Sequence, residues 1–235
     1  MLGEILFPGR CVICDTVLKV GQKYLCAACS RIPREVGEDY CMYCGKPVAA
    51  QVECCEDCRD RQRSFEYGRS AFWYDAAMRQ SVARFKYHGR QEYASYYGET
   101  LARKYGEWIE SVAPQALLPV PLHPRRYRKR GYNQAELIAR ELGGRCGVPV
   151  DGEYLFRKKN TIPQKELSRG ERERNLREAF SVRNIGGELC KYKKCVILID
   201  DIYTTGSTIE ACSQVLRING TDKIYFLCVC TGKGY

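Results

Sequence analysis

From about Tyr67 onward, short apolar runs alternate with stretches in which apolar positions recur every three or four residues. Ser70–Tyr74 (SAFWY) has the length and aromatic content of a strand, and the amphipathic stretches at about Ala76–Tyr87 and Glu92–Val112 follow it as helices. Ala116–Val120 (ALLPV) predicts a second strand. The run GYNQAELIARELGG then opens a helix. In it Asn133 is followed three residues later by Glu136, a capping-box variant, and Ala135, Ile138, Ala139 and Leu142 form one apolar stripe. Cys195–Ile199 (CVILI) is a continuous apolar run, the pattern of a strand covered on both faces. A helix bearing Ile209, Cys212 and Leu216 runs to a stop at Gly220, and Lys223–Cys230 (KIYFLCVC) supplies a further strand. Strands alternating with helices predict an α/β fold built on a doubly wound, mostly parallel sheet, in which ligands bind at the carboxyl ends of the strands.

The first sixty residues lack this pattern and carry cysteine instead: nine of the fifteen cysteines fall before residue 59. Eight of them make four C-x-x-C knuckles, Cys11 and Cys14, Cys26 and Cys29, Cys41 and Cys44, Cys55 and Cys58. Four thiolates fill one tetrahedral Zn(II) site, so the set predicts two structural sites with no open coordination position. A lone redox C-x-x-C does not need four repeats, and a segment so poor in large apolar side chains needs such staples to fold. Consecutive knuckles give the simplest pairing, an interleaved cross-brace uses the same residues, and Cys54 can stand in for Cys55. The change of composition divides the chain into a cysteine-rich part, residues 1–60, and an α/β part, residues 61–235. Cys146, Cys190, Cys195, Cys212, Cys228 and Cys230 have no ligand spacing and read as small buried residues.

Composition adds the partners' charge. The 235-residue chain carries 38 Lys and Arg against 28 Asp and Glu, a net charge of +10, which favours phosphorylated metabolites, nucleic acid or an acidic membrane surface. No apolar run approaches the roughly 18 residues of a membrane helix, and MLGEILFPGR has neither the charged start nor the apolar length of a signal peptide. The expectation is a cytoplasmic protein.

Against that basic background, VILIDDIYTTGST (Val196–Thr208) places two carboxylates, Asp200 and Asp201, at the carboxyl end of a strand. Gly206 permits a tight turn, so the hydroxyls and amides of Thr204, Thr205, Ser207 and Thr208 can surround a phosphate at a helix N-terminus. The acids would repel that phosphate, so they suit sugar hydroxyls or a hydrated divalent cation beside it. A phosphorylated ribose satisfies both halves. Neither G-x-x-x-x-G-K-[ST] nor G-x-G-x-x-G occurs. A strand-to-helix turn alone explains the hydroxyls but not the acids.

These thirteen residues resemble the phosphoribosyl diphosphate (PRPP) signature of type I phosphoribosyltransferases. Together with the knuckles, RFKYHG (Arg84–Gly89), PVPLHPRRYRKRGYNQAELIA (Pro119–Ala139) and LSRGERERNLREAF (Leu167–Phe180), the chain resembles the ComF family of competence proteins over nearly its whole length. The resemblance implies a zinc ribbon joined to a phosphoribosyltransferase domain, associated with the handling of imported single-stranded DNA during natural transformation, with competence machinery proteins as partners. It implies that Asp200 and Asp201 contact the ribose and its Mg(II) shell and that Thr204–Thr208 hold the 5'-phosphate. Arg125 and Arg126 then fall on the pyrophosphate loop, and Gln164, Arg172 and Asn175 on the flexible loop. No base-recognition hood is evident, so the resemblance leaves two classes of function. One is a PRPP-binding module in DNA handling, the other an active transferase on a nucleobase or another small acceptor.

The run RRYRKR (Arg125–Arg130) is read as a loop after the ALLPV strand. Apart from the pyrophosphate role of its first two arginines, Tyr127, Arg128, Lys129 and Arg130 suit a single-stranded nucleic acid, the cations tracking its backbone and the ring stacking a base. The two histidines, His88 and His123, fit packing or hydrogen-bonding roles better than acid–base chemistry.

Overall fold

The structure, a computed structural model, describes residues 8–59, 62–158, 178–183 and 190–232. In chain order its elements are α1 (Glu56–Arg59), β1 (Gly68–Trp73), α2 (Ala76–Tyr87), α3 (Tyr93–Val112), β2 (Ala116–Pro119), α4 (Pro124–Arg130), α5 (Gln134–Cys146), β3 (Leu155–Arg157), β4 (Phe180–Val182), β5 (Cys195–Tyr203), α6 (Ser207–Ile218) and β6 (Lys223–Thr231). Helix α2 begins where the Asp75 carboxylate accepts the Met78 N–H at 2.9 Å, and its stripe of Met78, Val82 and Phe85 is buried. Helix α5 is capped by Asn133, whose side chain accepts from the Ala135 N–H. The reciprocal half of the expected capping box is not made; Glu136 pairs forward with Arg140 at 2.7 Å instead.

Four strands form one sheet in the order β1-β6-β5-β2, and every neighbouring pair is parallel. Strands β3 and β4 pair with each other, antiparallel, outside that sheet. Side-chain alternation sends Ile197 and Ile199 of β5, with Leu117, Leu227 and Val229, into a cluster under α2, α3 and α5. Val196 and Leu198, with Ala116, Leu118 and Phe226, enter a second cluster under α6. The sheet is thus covered on both faces, as the unbroken CVILI run requires. Each fully buried aliphatic side chain contributes roughly 1.5–3 kcal/mol.

The cysteine-rich segment is two copies of one unit. Arg10 bridges Val17 around Cys11 and Cys14, as Tyr40 bridges Pro47 around Cys41 and Cys44. The N–H of Asp15 donates to the Cys11 carbonyl at 2.8 Å, and the N–H of Gly45 to that of Cys41 at the same distance. Asp15 and Gly45 occupy the equivalent left-handed position, at φ 64° and 69°. At Gly45 a side chain is also impossible on space, because a Cβ would stand 2.6 Å from the Gly68 carbonyl oxygen. Between the units, the Val36 N–H donates to the Ala71 carbonyl and the Trp73 N–H to the Arg34 carbonyl, so residues 34–36 run antiparallel along the outer edge of β1. The units therefore fall on opposite faces of the sheet. Cys11 and Cys29 join the cluster under α2 and α3, and Cys41, Cys44, Cys55 and Cys58 join the one under α6.

Candidate functional site: an acidic strand end, a hydroxyl turn and two cysteine clusters

The cysteine sulfurs settle into two groups, Cys11, Cys14, Cys26 and Cys29, and Cys41, Cys44, Cys55 and Cys58, with all ligand atoms of each group within 4.8 Å of one another. Consecutive knuckles pair, and Cys54 lies outside the second set. Four thiolates at that spacing are the donor set of a closed tetrahedral Zn(II) site, structural in character. The remaining cysteines Cys190, Cys195, Cys212, Cys228 and Cys230 are buried and Cys146 partly so, as small apolar residues would be.

In the sheet, β5 outruns its neighbour β2. Their register ends with Pro119 opposite Ile199, while β6 continues to pair with β5 as far as Tyr203 opposite Thr231. Asp200 and Asp201 therefore sit inside the strand, a few residues before its end, at the point where one flank has opened. Strand alternation turns them to opposite faces.

Asp200 faces the α6 side, where it lines a hollow of about 30 Å³ with Ile202 and the turn Thr204–Thr208. That is room for about two oxygen-sized atoms, a hydroxyl or the edge of a phosphate, and not for a whole sugar ring. Gly206, at φ 77°, makes the turn; a Cβ there would lie 2.2 Å from the Tyr203 hydroxyl. Thr205 and Ser207 share a hydrogen bond of 2.9 Å, and among the described residues no side chain caps the first amides of α6, which starts at Ser207. Those free N–H groups and the helix dipole favour an anion at this point. Burial, reinforced by the charge of Asp201 and opposed by Lys86, raises the carboxyl of Asp200 to about 7.

Asp201 faces α2, and its Oδ1 accepts from the Lys86 ammonium at 2.7 Å. Burial alone would lower the Lys86 pKa, but the charge and hydrogen bond of Asp201 outweigh it and raise it. Lys86 was not singled out as a site residue from sequence. The available signal was its place in RFKYHG one residue after Phe85 and four after Val82, a cation inside the apolar stripe of α2.

The run Arg125–Arg130 is helical, not a loop. Pro124 occupies the first turn of α4, the His123 ring accepts from the Arg125 N–H, and Gly131 at φ 81° ends the helix. His123 thus has the hydrogen-bonding role expected, and His88 closes α2 through its backbone N–H to the Arg84 carbonyl. The helix divides the cations among its faces. Arg130 is held by Gln134 at 2.7 Å and by the Tyr87 hydroxyl at 3.1 Å, its guanidinium 4.7 Å from the Tyr87 ring centre. Arg125, Arg126, Tyr127, Arg128 and Lys129 are exposed. Tyr127 and Arg128 line a groove of about 620 Å³ together with Phe156 and Arg157 of β3, Arg183 just beyond β4, and the acids Glu136, Asp151 and Glu153. Arg157, whose buried Nε has no hydrogen-bond partner among the described residues, was not singled out from sequence either; its isolated place in a short strand gave no signal. Gln164, Arg172 and Asn175 lie outside the described residues.

Fold and cysteine geometry together define a double zinc ribbon joined to a parallel α/β domain with an acidic strand end and a hydroxyl-rich turn at a helix N-terminus. Residues 2–59 match the double zinc ribbon domain family. The chain is 30% identical to competence protein F of Haemophilus influenzae, over 93% of this chain and 95% of the relative, and it belongs to that ComF family. It is 28% identical to the DNA utilization protein YhgH of Escherichia coli K12, over 95% and 97% of the two chains. To competence protein ComFC of Bacillus subtilis it is 29% identical, over 89% of each. Among solved structures, a hypoxanthine phosphoribosyltransferase from Staphylococcus aureus aligns with 60% of this chain and 64% of its own, at 13% identity and a TM-score of 0.38.

Proposed function

We propose that this protein binds PRPP at the end of β5 and serves the handling of single-stranded DNA in competence. The observation that carries the ligand is the division of labour around Asp200 and Asp201. The anion-binding turn Thr204–Thr208 lies on one side, and carboxylate acceptors for sugar hydroxyls lie within the same strand. A phosphorylated ribose carries both groups. The names of the relatives, competence proteins and a DNA utilization protein, supply the process. Mg(II), arriving with the diphosphate, neutralises part of its charge. In the chain itself, Asp200 and Asp201 accept hydroxyls, the turn holds the 5'-phosphate, and Arg125 and Arg126 offer exposed positive charge to the diphosphate.

Calorimetric titration with PRPP and Mg(II) tests this reading. The double variant Asp200→Asn, Asp201→Asn should weaken binding at least tenfold, since hydrogen bonds to charged groups are each worth about 1.5–3 kcal/mol. Unchanged affinity would place the ribose elsewhere. The alternative reading, a working transferase, is favoured by the intact acid pair and predicts pyrophosphate release when a nucleobase is added.

A further inference from the structure

The ammonium of Lys86 and the carboxylate of Asp201 are both largely withdrawn from water, with 17% and 12% of their side chains exposed. The contact joins the last turn of α2 to β5 and so belongs to the fold, not to a surface fluctuation. Asp201 is the one hydrogen-bond acceptor of Lys86 among the described residues, which leaves further N–H donors on the ammonium. On the other side of the strand, Oδ1 of Asp200 accepts the Asp201 backbone N–H at 2.8 Å.

Mg(II) asks for six oxygens in near-octahedral order at about 2.0–2.1 Å, commonly with one or two protein carboxylates among them. Asp200 and Asp201 point to opposite faces of β5 and cannot grip one ion between them. Asp201 already holds a monovalent cation at hydrogen-bond distance, and a dication placed on the same carboxylate would meet that ammonium in a poorly solvated setting, where like charges repel strongly. The donor set does not fit a metal ion bound by the protein on its own.

We infer that Lys86 is the resident cation of this site: it holds the carboxylate that a protein-bound divalent ion would need, so the free protein binds no such ion at β5. As to the ligand, the inference rests on the phosphoribosyl reading. Lys86 then makes the site specific for hydroxyls, leaving the outer carboxylate oxygens as acceptors for a vicinal diol, and Mg(II) would come with the ligand and not with the protein. Lys86 is the specificity-determining residue and Asp201 the group it acts through.

The test is titration of zinc-loaded, PRPP-free protein with Mn(II), followed by electron paramagnetic resonance. Wild type should show no stoichiometric site at β5. Lys86→Gln should gain one Mn(II) per chain at least tenfold tighter, and Asp201→Asn in that background should remove it. Lys86→Arg, which keeps the charge, should match wild type and guards against a folding defect in the neutral variant; retention of zinc reports the fold of each. A Mn(II) site in wild type that Asp201→Asn abolishes would overturn the inference, as would a folded Lys86→Gln protein that binds Mn(II) no better than wild type. Failure of wild type to bind PRPP would remove the phosphoribosyl reading while leaving the outcome of the Mn(II) titration standing.

Discussion

At the scale of single residues, Asp200 carries a measurable cost. Its carboxyl is raised to about 7 by burial and by Asp201, well above the unfolded value near 3.9. The native state therefore holds its proton more tightly than the unfolded chain between about pH 4 and 7, and stability falls as pH rises through that window. Asp200→Asn removes the burden. The variant should melt at the same temperature as wild type below pH 4 and a few degrees higher at pH 8, a gain of at least ~1 kcal/mol, while losing PRPP binding. Thermal scans across pH check this, and a lower melting point at pH 8 would show that Asp200 is fully paired. Gly206→Ala goes the other way: the left-handed φ of 77° and the Tyr203 hydroxyl 2.2 Å from the new Cβ leave no place for it. A loss of about 1–3 kcal/mol is expected, with weakened PRPP binding, measured by melting and calorimetry together.

At the scale of elements, α4 exposes Arg125–Lys129 and holds Arg130 against Gln134 and Tyr87. If single-stranded DNA follows the exposed cations of α4 into the groove with Tyr127, removing Arg128 and Lys129 should lower the slope of log affinity against log salt by about 1.4. Arg130→Ala should change DNA binding little, because that side chain is committed to Tyr87 and Gln134. Fluorescence anisotropy with a labelled strand at several salt concentrations checks both variants. An unaltered slope in the first would take nucleic acid off this helix.

At the scale of the whole molecule, six of the ribbon's eight knuckle cysteines are part of the sheet's own two cores. About two Zn(II) per chain are expected by elemental analysis. Because Cys41, Cys44, Cys55 and Cys58 share their cluster with Tyr203, Ile209 and Phe226, stripping zinc should loosen the turn at Gly206 as well as the ribbon. Metal removal at neutral pH is expected to lower PRPP affinity and the melting point together. Loss of zinc with both unchanged would make the second cluster a passive appendage.

The sequence by itself determined what depends on local order. The 3.6-residue and continuous apolar patterns marked α2, α3, α5, α6 and the four parallel strands; C-x-x-C spacing marked eight metal ligands; and Gly206 among hydroxyls marked the turn. These are properties of neighbours along the chain. Tertiary structure alone decided which sulfurs meet, since an interleaved pairing uses the same eight residues. It placed the ribbon units on opposite faces of the sheet, because backbone pairing along β1 has no side-chain signature in residues 34–36. That RRYRKR is a helix was also written locally, in its proline start, its His123 cap and its Gly131 end, which outweigh the repulsion of its charges. Most of all, tertiary structure brought Lys86 to Asp201, 115 positions away along the chain. A periodicity shows that a cation lies in an apolar stripe, but only the packing of α2 on the sheet supplies the carboxylate that makes its burial stable.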